Sequence, residues 1–313
     1  MVQSLTVVFC GTPHFAVPAL EKLVEAGFGV CLVVTQPDRP RGRGLVLAPC
    51  PVKQSALALG LPVTQPQAIK HNEGFHAQLT ALQPDAIVVV GYGRILPQWM
   101  IDLPPLGNIN LHASLLPKYR GAAPIQWAIA RGENTTGVTT MQIDAGLDTG
   151  DILLQKKIAI APDDTAEILA PRLGAIGAEL IVETLHGLQA STIKPRPQEN
   201  SKATLAPILT KEDGRIDFDH TAQEISNRVR GFQPWPGAFT IFHDKSLHVW
   251  KASASSRSLG PGKLLVEEDH LYAGCAEGTA LELIEVQPEG KKRMPARDFI
   301  HGYHPRTGNL LGP

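Results

Sequence analysis

The sequence predicts an α/β protein: a Rossmann-like open, mostly parallel sheet followed by a smaller, OB-like β-barrel. Three observations carry that expectation. In the first half, short and continuously apolar runs alternate with helix-patterned stretches, the signature of strands covered on both faces. In the second half, five short strand-like runs are separated by glycine and charged turns. The chain has 313 residues, more than one ordinary domain holds.

Leu5–Cys10 reads as the first strand, ended by Gly11-Thr12-Pro13. Phe15 to Ala26 follows with helical spacing, Phe15, Leu20, Leu23 and Val24 lying on one side. Gly29–Thr35 is a second strand and Ala86–Val90 a third, its three consecutive valines being β-branched. Ile109–Leu111 is a candidate fourth. Right-handed crossovers then give an open sheet whose ligands bind beyond the carboxyl ends of the strands. The turn Gly11–Ala16 lacks Gly-x-Gly-x-x-Gly, and Pro13 removes a backbone donor, so a dinucleotide site is not expected.

Lys194–Lys202 is polar and proline-bearing with no apolar period, and reads as a linker. The expected organisation is therefore a catalytic domain over 1–189, a linker over 190–207 and a β-barrel domain over 208–313. Within the last, a helix over Thr221–Arg230 precedes strands at Ala238–Phe242, Leu247–Trp250, Gly262–Val266, Leu271–Cys275 and Leu281–Val286. Pro234-Trp235-Pro236 is expected to pack the domain junction, with Trp235 as a core anchor.

Composition narrows the function classes. Apolar residues make up 43% and charged residues 19%, an ordinary globular balance. With a net charge of -1, any nucleic-acid reading must rest on local patches. Cys10, Cys31, Cys50 and Cys275 form no Cys-x-x-Cys pair, so neither a zinc site nor a disulfide framework is expected, which fits a reducing cytoplasm. No run approaches the roughly 18 apolar residues of a spanning helix, and no membrane association is expected.

The chemistry concentrates in Gly107–Ile125. Asn110 and His112 are two apart on an extended segment, so both side chains point to one face. An amide beside an imidazole suits acyl transfer: the amide donates to a developing oxyanion, and the imidazole donates or accepts near neutrality. A second cluster, Asp144–Asp151, sets three acids among two glycines and forms a tight turn carrying a carboxylate. It lacks the acidic pattern of a calcium loop, and no metal is expected.

Asn110-Leu111-His112, Ser114-Leu115-Leu116-Pro117 and Leu147-Asp148-Thr149-Gly150 resemble the Asn, His and Asp motifs of the folate-dependent formyltransferases. By that resemblance Asn110, His112 and Asp148 take the catalytic places. Ser114, Leu115, Leu116 and Pro117 take the folate-binding place. Three further segments are similar to the methionyl-tRNA formyltransferase family: Phe9–Ala16, Thr35–Gly44 continuing to Pro51-Val52-Lys53, and Arg230–Ala238. The family often carries Lys-Lys after its Gly-Arg-Gly, where this chain has Leu45-Val46.

The resemblance implies 10-formyltetrahydrofolate as donor and methionyl initiator tRNA as acceptor; a monomer is expected, since no exposed apolar heptad suggests a dimer. Backbone groups near Ile87–Leu96 and Asp144–Gly150 would contribute to folate binding. Arg39, Arg41 and Arg43, spaced by two, would approach tRNA from a loop, Arg39–Gly44, that its glycines and charge make mobile. Lys291, Lys292 and Arg293 form another patch for the same partner. An amino-sugar formyltransferase using the same donor is the alternative, since it shares Asn-x-His-x-Ser-Leu-Leu-Pro; a non-catalytic folate- or tRNA-binding module and a formyl-folate hydrolase are others.

Overall fold

The computed structural model describes residues 4–41 and 46–312. In chain order the first elements are β1 (Thr6–Gly11), α1 (Val17–Glu25), β2 (Gly29–Val34), β3 (Arg39–Arg41), β4 (Val46–Ala48), α2 (Pro51–Ala58) and β5 (Val63–Thr64). There follow α3 (Glu73–Leu82), β6 (Ala86–Val90), α4 (Gln98–Ile101), β7 (Asn108–His112), α5 (Pro124–Ala130), β8 (Thr135–Gln142), β9 (Ile152–Ala159) and α6 (Ala166–Gln189). The last are α7 (Ala222–Gly231), β10 (Ala238–Phe242), β11 (Lys245–Ser255), β12 (Leu264–Glu267), β13 (His270–Gly274), β14 (Ala280–Pro288), β15 (Met294–Pro295) and α8 (Ala296–Tyr303). They form two compact units. One comprises 1–122, 136–158 and 170–206; the other comprises 123–135, 159–169 and 207–313.

The first unit is built on a seven-stranded sheet of order β5-β2-β1-β6-β7-β8-β9. The pairs from β5 to β7 are parallel, and β7 with β8 is antiparallel. β6 is buried at every position, which is why its sequence is apolar throughout rather than alternating. On one face Val8, Cys10, Ile87 and Val89 pack with Phe75 and Leu79 of α3 and Met100 of α4. On the other, Leu111 of β7 meets α6 at Gly177, where a Cβ would stand 2.6 Å from the leucine methyl. A side chain there would have to push the Leu111 methyls aside, so glycine lets the helix lie close to the sheet.

Residues 190–206 run along this unit under hydrogen bonds. Ile152 and Arg196 exchange backbone bonds of 2.8 and 2.9 Å, Arg120 N donates to Thr204 O at 2.8 Å, and Ala206 N to Arg120 O at 2.7 Å. The stretch has no apolar period because polar contacts, more than burial, hold it down.

The second unit carries a six-stranded sheet along the path β10-β11-β14-β13-β12, with β15 pairing β14; the strand pairs are antiparallel. Its core joins Ile225 and Val229 of α7, Phe299 of α8, and Leu247, Leu271, Leu283 and Val286 of the strands. α7 begins with a capping box: Glu224 N donates to Thr221 Oγ1, and Thr221 N donates back to Glu224 Oε2 at 2.9 Å. Where α7 ends, a Cβ on Gly231 would come within 2.8 Å of the α5 backbone, so the two helices touch there.

One expectation is corrected. Trp235 is 56% exposed rather than a core anchor. Phe232, three residues earlier, is fully buried, edge-on to Trp127 with the Arg228 guanidinium over its ring. A plain phenyl ring is fully satisfied in an apolar pocket, whereas the Trp235 indole keeps an N–H that needs a partner.

All four cysteines are free thiols, and burial pushes Cys10 upward and Cys275 to about 11. No helix among the described residues is long and apolar enough to cross a membrane.

Candidate active site

β7 lies between β6 and β8 and sends Asn108, Asn110 and His112 to the face opposite Ile109 and Leu111. Asn108 is structural: its amide donates to Met100 O at 3.0 Å and Ile101 O at 2.8 Å, holding the end of α4. Asn110 is half-buried, and its amide makes no hydrogen bond with another described residue. His112 is buried, and its Nε2 lies 2.8 Å from the Tyr119 carbonyl. A carbonyl only accepts, so Nε2 carries a proton, and Nδ1 is the ring nitrogen left for other partners.

The loop after β7 is folded to turn that carbonyl inward. Ser114 Oγ donates to Lys118 O at 2.6 Å, and Tyr119, in the left-handed region at φ 62, donates its N–H to Thr204 Oγ1 at 2.9 Å. Gly121 follows at φ 121, where a Cβ would stand 2.5 Å from Ala206 O, and its N–H donates to Asp148 Oδ2 at 2.8 Å. That carboxylate oxygen lies 3.7 Å from His112 Nδ1, just beyond direct hydrogen bonding.

Asp148 sits at φ 51 in the turn between β8 and β9. Asp144 organises the turn by accepting from Gly146 N at 3.0 Å and Thr149 Oγ1 at 2.7 Å. Of the acids in this segment, Asp144 is thus spent on turn geometry and Asp148 is the one turned to the histidine. Among the described residues no group of three or more His, Cys, Asp or Glu is arranged to hold a metal ion.

At the carboxyl ends of β1, β2 and β6 the loops close tightly. Gly91 and Gly93 have φ of 56 and 74; a Cβ would come within 2.8 Å of Pro13 at the first and 2.7 Å of Gln36 at the second. Ile95 and Leu147, on the loops after β6 and β8, are 93% and 63% exposed.

Of the residues expected at the folate, Ser114 and Leu116 are buried, and Leu115 and Pro117 are partly exposed. The Ser114 and Leu116 backbones are bound to Thr139, and Leu116 packs with Met141 and Ile152. The stretch therefore forms a wall by its backbone path. Arg39 is exposed and donates to Gln36 Oε1 at 3.2 Å; the same Gln36 donates to Tyr92 O at 2.8 Å, tying the β3–β4 hairpin to the turn after β6. Arg39 and Arg41 both belong to β3. Arg43, with the tip of the loop expected to be mobile, lies outside the described residues, as does the side chain of Arg41. Lys53, at the base of the hairpin, pairs with Asp38 at 2.6 Å and holds that carboxyl below its usual range. Lys291 and Lys292 are exposed between β14 and β15, and the Arg293 guanidinium lies 3.4 Å from the centre of the Trp250 ring. Sequence reasoning missed Gln36, whose role shows only once the loops are folded, and Gln198, hidden in an apparent linker.

Residues 4–185 match the family model described as formyl transferase, and residues 208–304 match that of the formyl transferase C-terminal domain. A methionyl-tRNA formyltransferase from Koribacter versatilis is 66% identical over 98% of this chain and 99% of its own length. One from Acidobacterium capsulatum is 60% identical over 99% and 98%. Among solved structures, WlaRD, a sugar 3-N-formyltransferase, superposes with a TM-score of 0.67 at 19% identity, covering 93% of this chain and all of its own; that likeness is one of fold. The chain belongs to the methionyl-tRNA formyltransferase family.

Proposed function

We propose that the chain transfers the formyl group of 10-formyltetrahydrofolate to the α-amine of methionyl initiator tRNA, giving N-formylmethionyl-tRNA for translation initiation. It acts as a cytoplasmic monomer, with 1–189 holding folate and performing the chemistry, 190–207 joining it to the rest, and 208–313 serving the tRNA. The observation that carries the reading is the arrangement on β7. His112 commits Nε2 to the Tyr119 carbonyl and leaves Nδ1 toward Asp148, while Asn110, on the same strand face, keeps an amide with no partner among the described residues.

The donor supplies an activated formyl carbon. An α-amine with a pKa of roughly 8 or below is partly neutral at pH 7 and attacks without prior deprotonation. A C–N bond forms to the formyl carbon, the bond to the folate nitrogen breaks, and one proton passes from the incoming to the departing nitrogen. Asn110 donates its amide N–H to the formyl oxygen as negative charge grows there. His112 assists through Nδ1, its other nitrogen being engaged, and shares the proton's path with Asp148. No covalent enzyme species is required. Ser114–Pro117, Gly91 and Gly93 shape the folate wall, and the exposed Ile95 and Leu147 cover the flat ring. Arg39, Arg41 and Arg43 approach the acceptor end of the tRNA, and Lys291, Lys292 and Arg293 its backbone.

The test is formyl transfer from 10-formyltetrahydrofolate with charged methionyl initiator tRNA, free methionine and a UDP-amino sugar as parallel acceptors. Transfer to the charged tRNA alone is expected. Transfer only to the sugar would overturn the acceptor and the reading of every basic patch.

A further inference from the structure

We propose that Gln198 is a positioning residue for the Asp148 turn, making part of the apparent linker a component of the catalytic apparatus. The inference rests on the reading of Asp148 given above. The Gln198 amide donates both N–H groups to the turn, to Asp148 O at 2.8 Å and Gly150 O at 2.7 Å. Its Oε1 accepts from Arg120 twice, from Nε at 3.1 Å and Nη2 at 2.8 Å. Arg120 Nη2 also donates to Asn200 Oδ1 at 2.8 Å. The residue after Arg120, Gly121, donates its backbone N–H to the Asp148 carboxylate.

These bonds close a ring. Asp148 is held at its carboxylate by the Arg120–Gly121 backbone and at its main chain by Gln198, and the two holds are joined through the Arg120 side chain. The chemistry requires an amide. The guanidinium only donates and the two carbonyls only accept, so both ends dictate the same orientation. Glutamate would satisfy Arg120 and offer nothing to the turn; lysine would do the reverse; asparagine is one methylene too short to span both.

Two features show that the ring has work to do. Asp148 occupies the left-handed region, which is less favourable for a residue with a β-carbon and is supported here by the bond to its main chain. Arg120 is 7% exposed, yet among the described residues no carboxylate lies within ion-pair distance of it. Its buried charge is answered by side-chain amide oxygens, which orients Gln198 without placing a second anion beside Asp148.

The test compares the parent enzyme with Gln198→Glu, Gln198→Met and Asp148→Asn, each as the full chain, by formyl transfer to methionyl initiator tRNA and by thermal melting. Gln198→Glu keeps the contact to Arg120 as an ion pair but loses both bonds to the turn, so melting should fall less than in Gln198→Met. Turnover should fall about tenfold to hundredfold, the scale expected when a catalytic group is misplaced by an ångström. KM for methionyl-tRNA should change less than about twofold, since none of the basic patches is touched. Gln198→Met removes donors and acceptor together and should lose turnover and melting temperature. Parental turnover in Gln198→Glu, with Asp148→Asn inactive, would overturn the proposal while leaving the catalytic reading intact. So would a raised KM at unchanged kcat, the mark of a mere strap. Full turnover in Asp148→Asn would remove the catalytic reading and this proposal with it.

Discussion

His112 and Asp148 face each other across 3.7 Å, Nδ1 to Oδ2, while the opposite ring nitrogen is tied to the Tyr119 carbonyl at 2.8 Å. The histidine therefore has one nitrogen for chemistry, and it lies beside a fixed carboxylate. Asp148→Asn keeps an oxygen for the Gly121 N–H and removes the charge. Single-turnover formyl transfer should slow by about a hundredfold or more, the scale of a lost acid–base partner, with tRNA affinity unchanged. Near-normal rates would mean that the carboxylate only shapes the turn.

Asn110→Ala removes an amide that has no side-chain hydrogen bond among the described residues. Losing one such donor to a developing oxyanion typically costs about 3 kcal/mol, on the order of a hundredfold in kcat. Melting should change little, because no side-chain hydrogen bond among the described residues is lost. A variant that binds folate poorly but turns over normally at saturation would assign Asn110 to ground-state binding.

Much of this arrangement is legible in the chain before folding. β1, β2 and β6 are unbroken apolar runs because both faces are covered, and Asn110 and His112 declare a shared face by their spacing. β8 is not legible: Thr-Thr-Gly-Val-Thr-Thr reads as polar, yet Thr139 and Thr140 are buried with their hydroxyls bonded to Ser114 O and to Thr184. α6 was hidden by Pro171 and by glycines that look like breakers. Gly177 is there for contact with Leu111, and Gly174 for contact with the Phe15 backbone. Gln198 carried no signal, since a glutamine between prolines and charges is indistinguishable from solvated linker until its partners, some 50 and 78 positions away, are seen.

Arg39 stands exposed on the hairpin, and among the described residues its guanidinium bonds to a neutral acceptor, Gln36. Its charge is free for a phosphate, unlike that of Lys53, which is spent on Asp38. Arg39→Ala should weaken methionyl-tRNA binding at low salt and reduce the slope of log affinity against log salt by about one. Folate affinity should not move. An unchanged slope would place Arg39 outside the tRNA contact.

Thr221 and Glu224 cap α7, the helix that supplies Ile225 and Val229 to the second core. Thr221→Ala leaves the Glu224 N–H without its acceptor, and loss of such a cap costs about 1 kcal/mol. The Thr221 backbone N–H, with its hydroxyl, lowers the Glu224 carboxyl below its usual range. A carboxyl depressed in the folded state stabilises fully above its unfolded value, and that contribution fades as pH falls through the folded one. The difference in stability between parent and Thr221→Ala should therefore be largest near neutrality and shrink under acid. Glu224 is exposed, so solvent screening keeps the pH-dependent part small. Denaturant unfolding at neutral pH and at a pH below the glutamate range measures both. A gap that stayed constant would leave the hydroxyl cap as the sole contributor and remove Glu224 from the account.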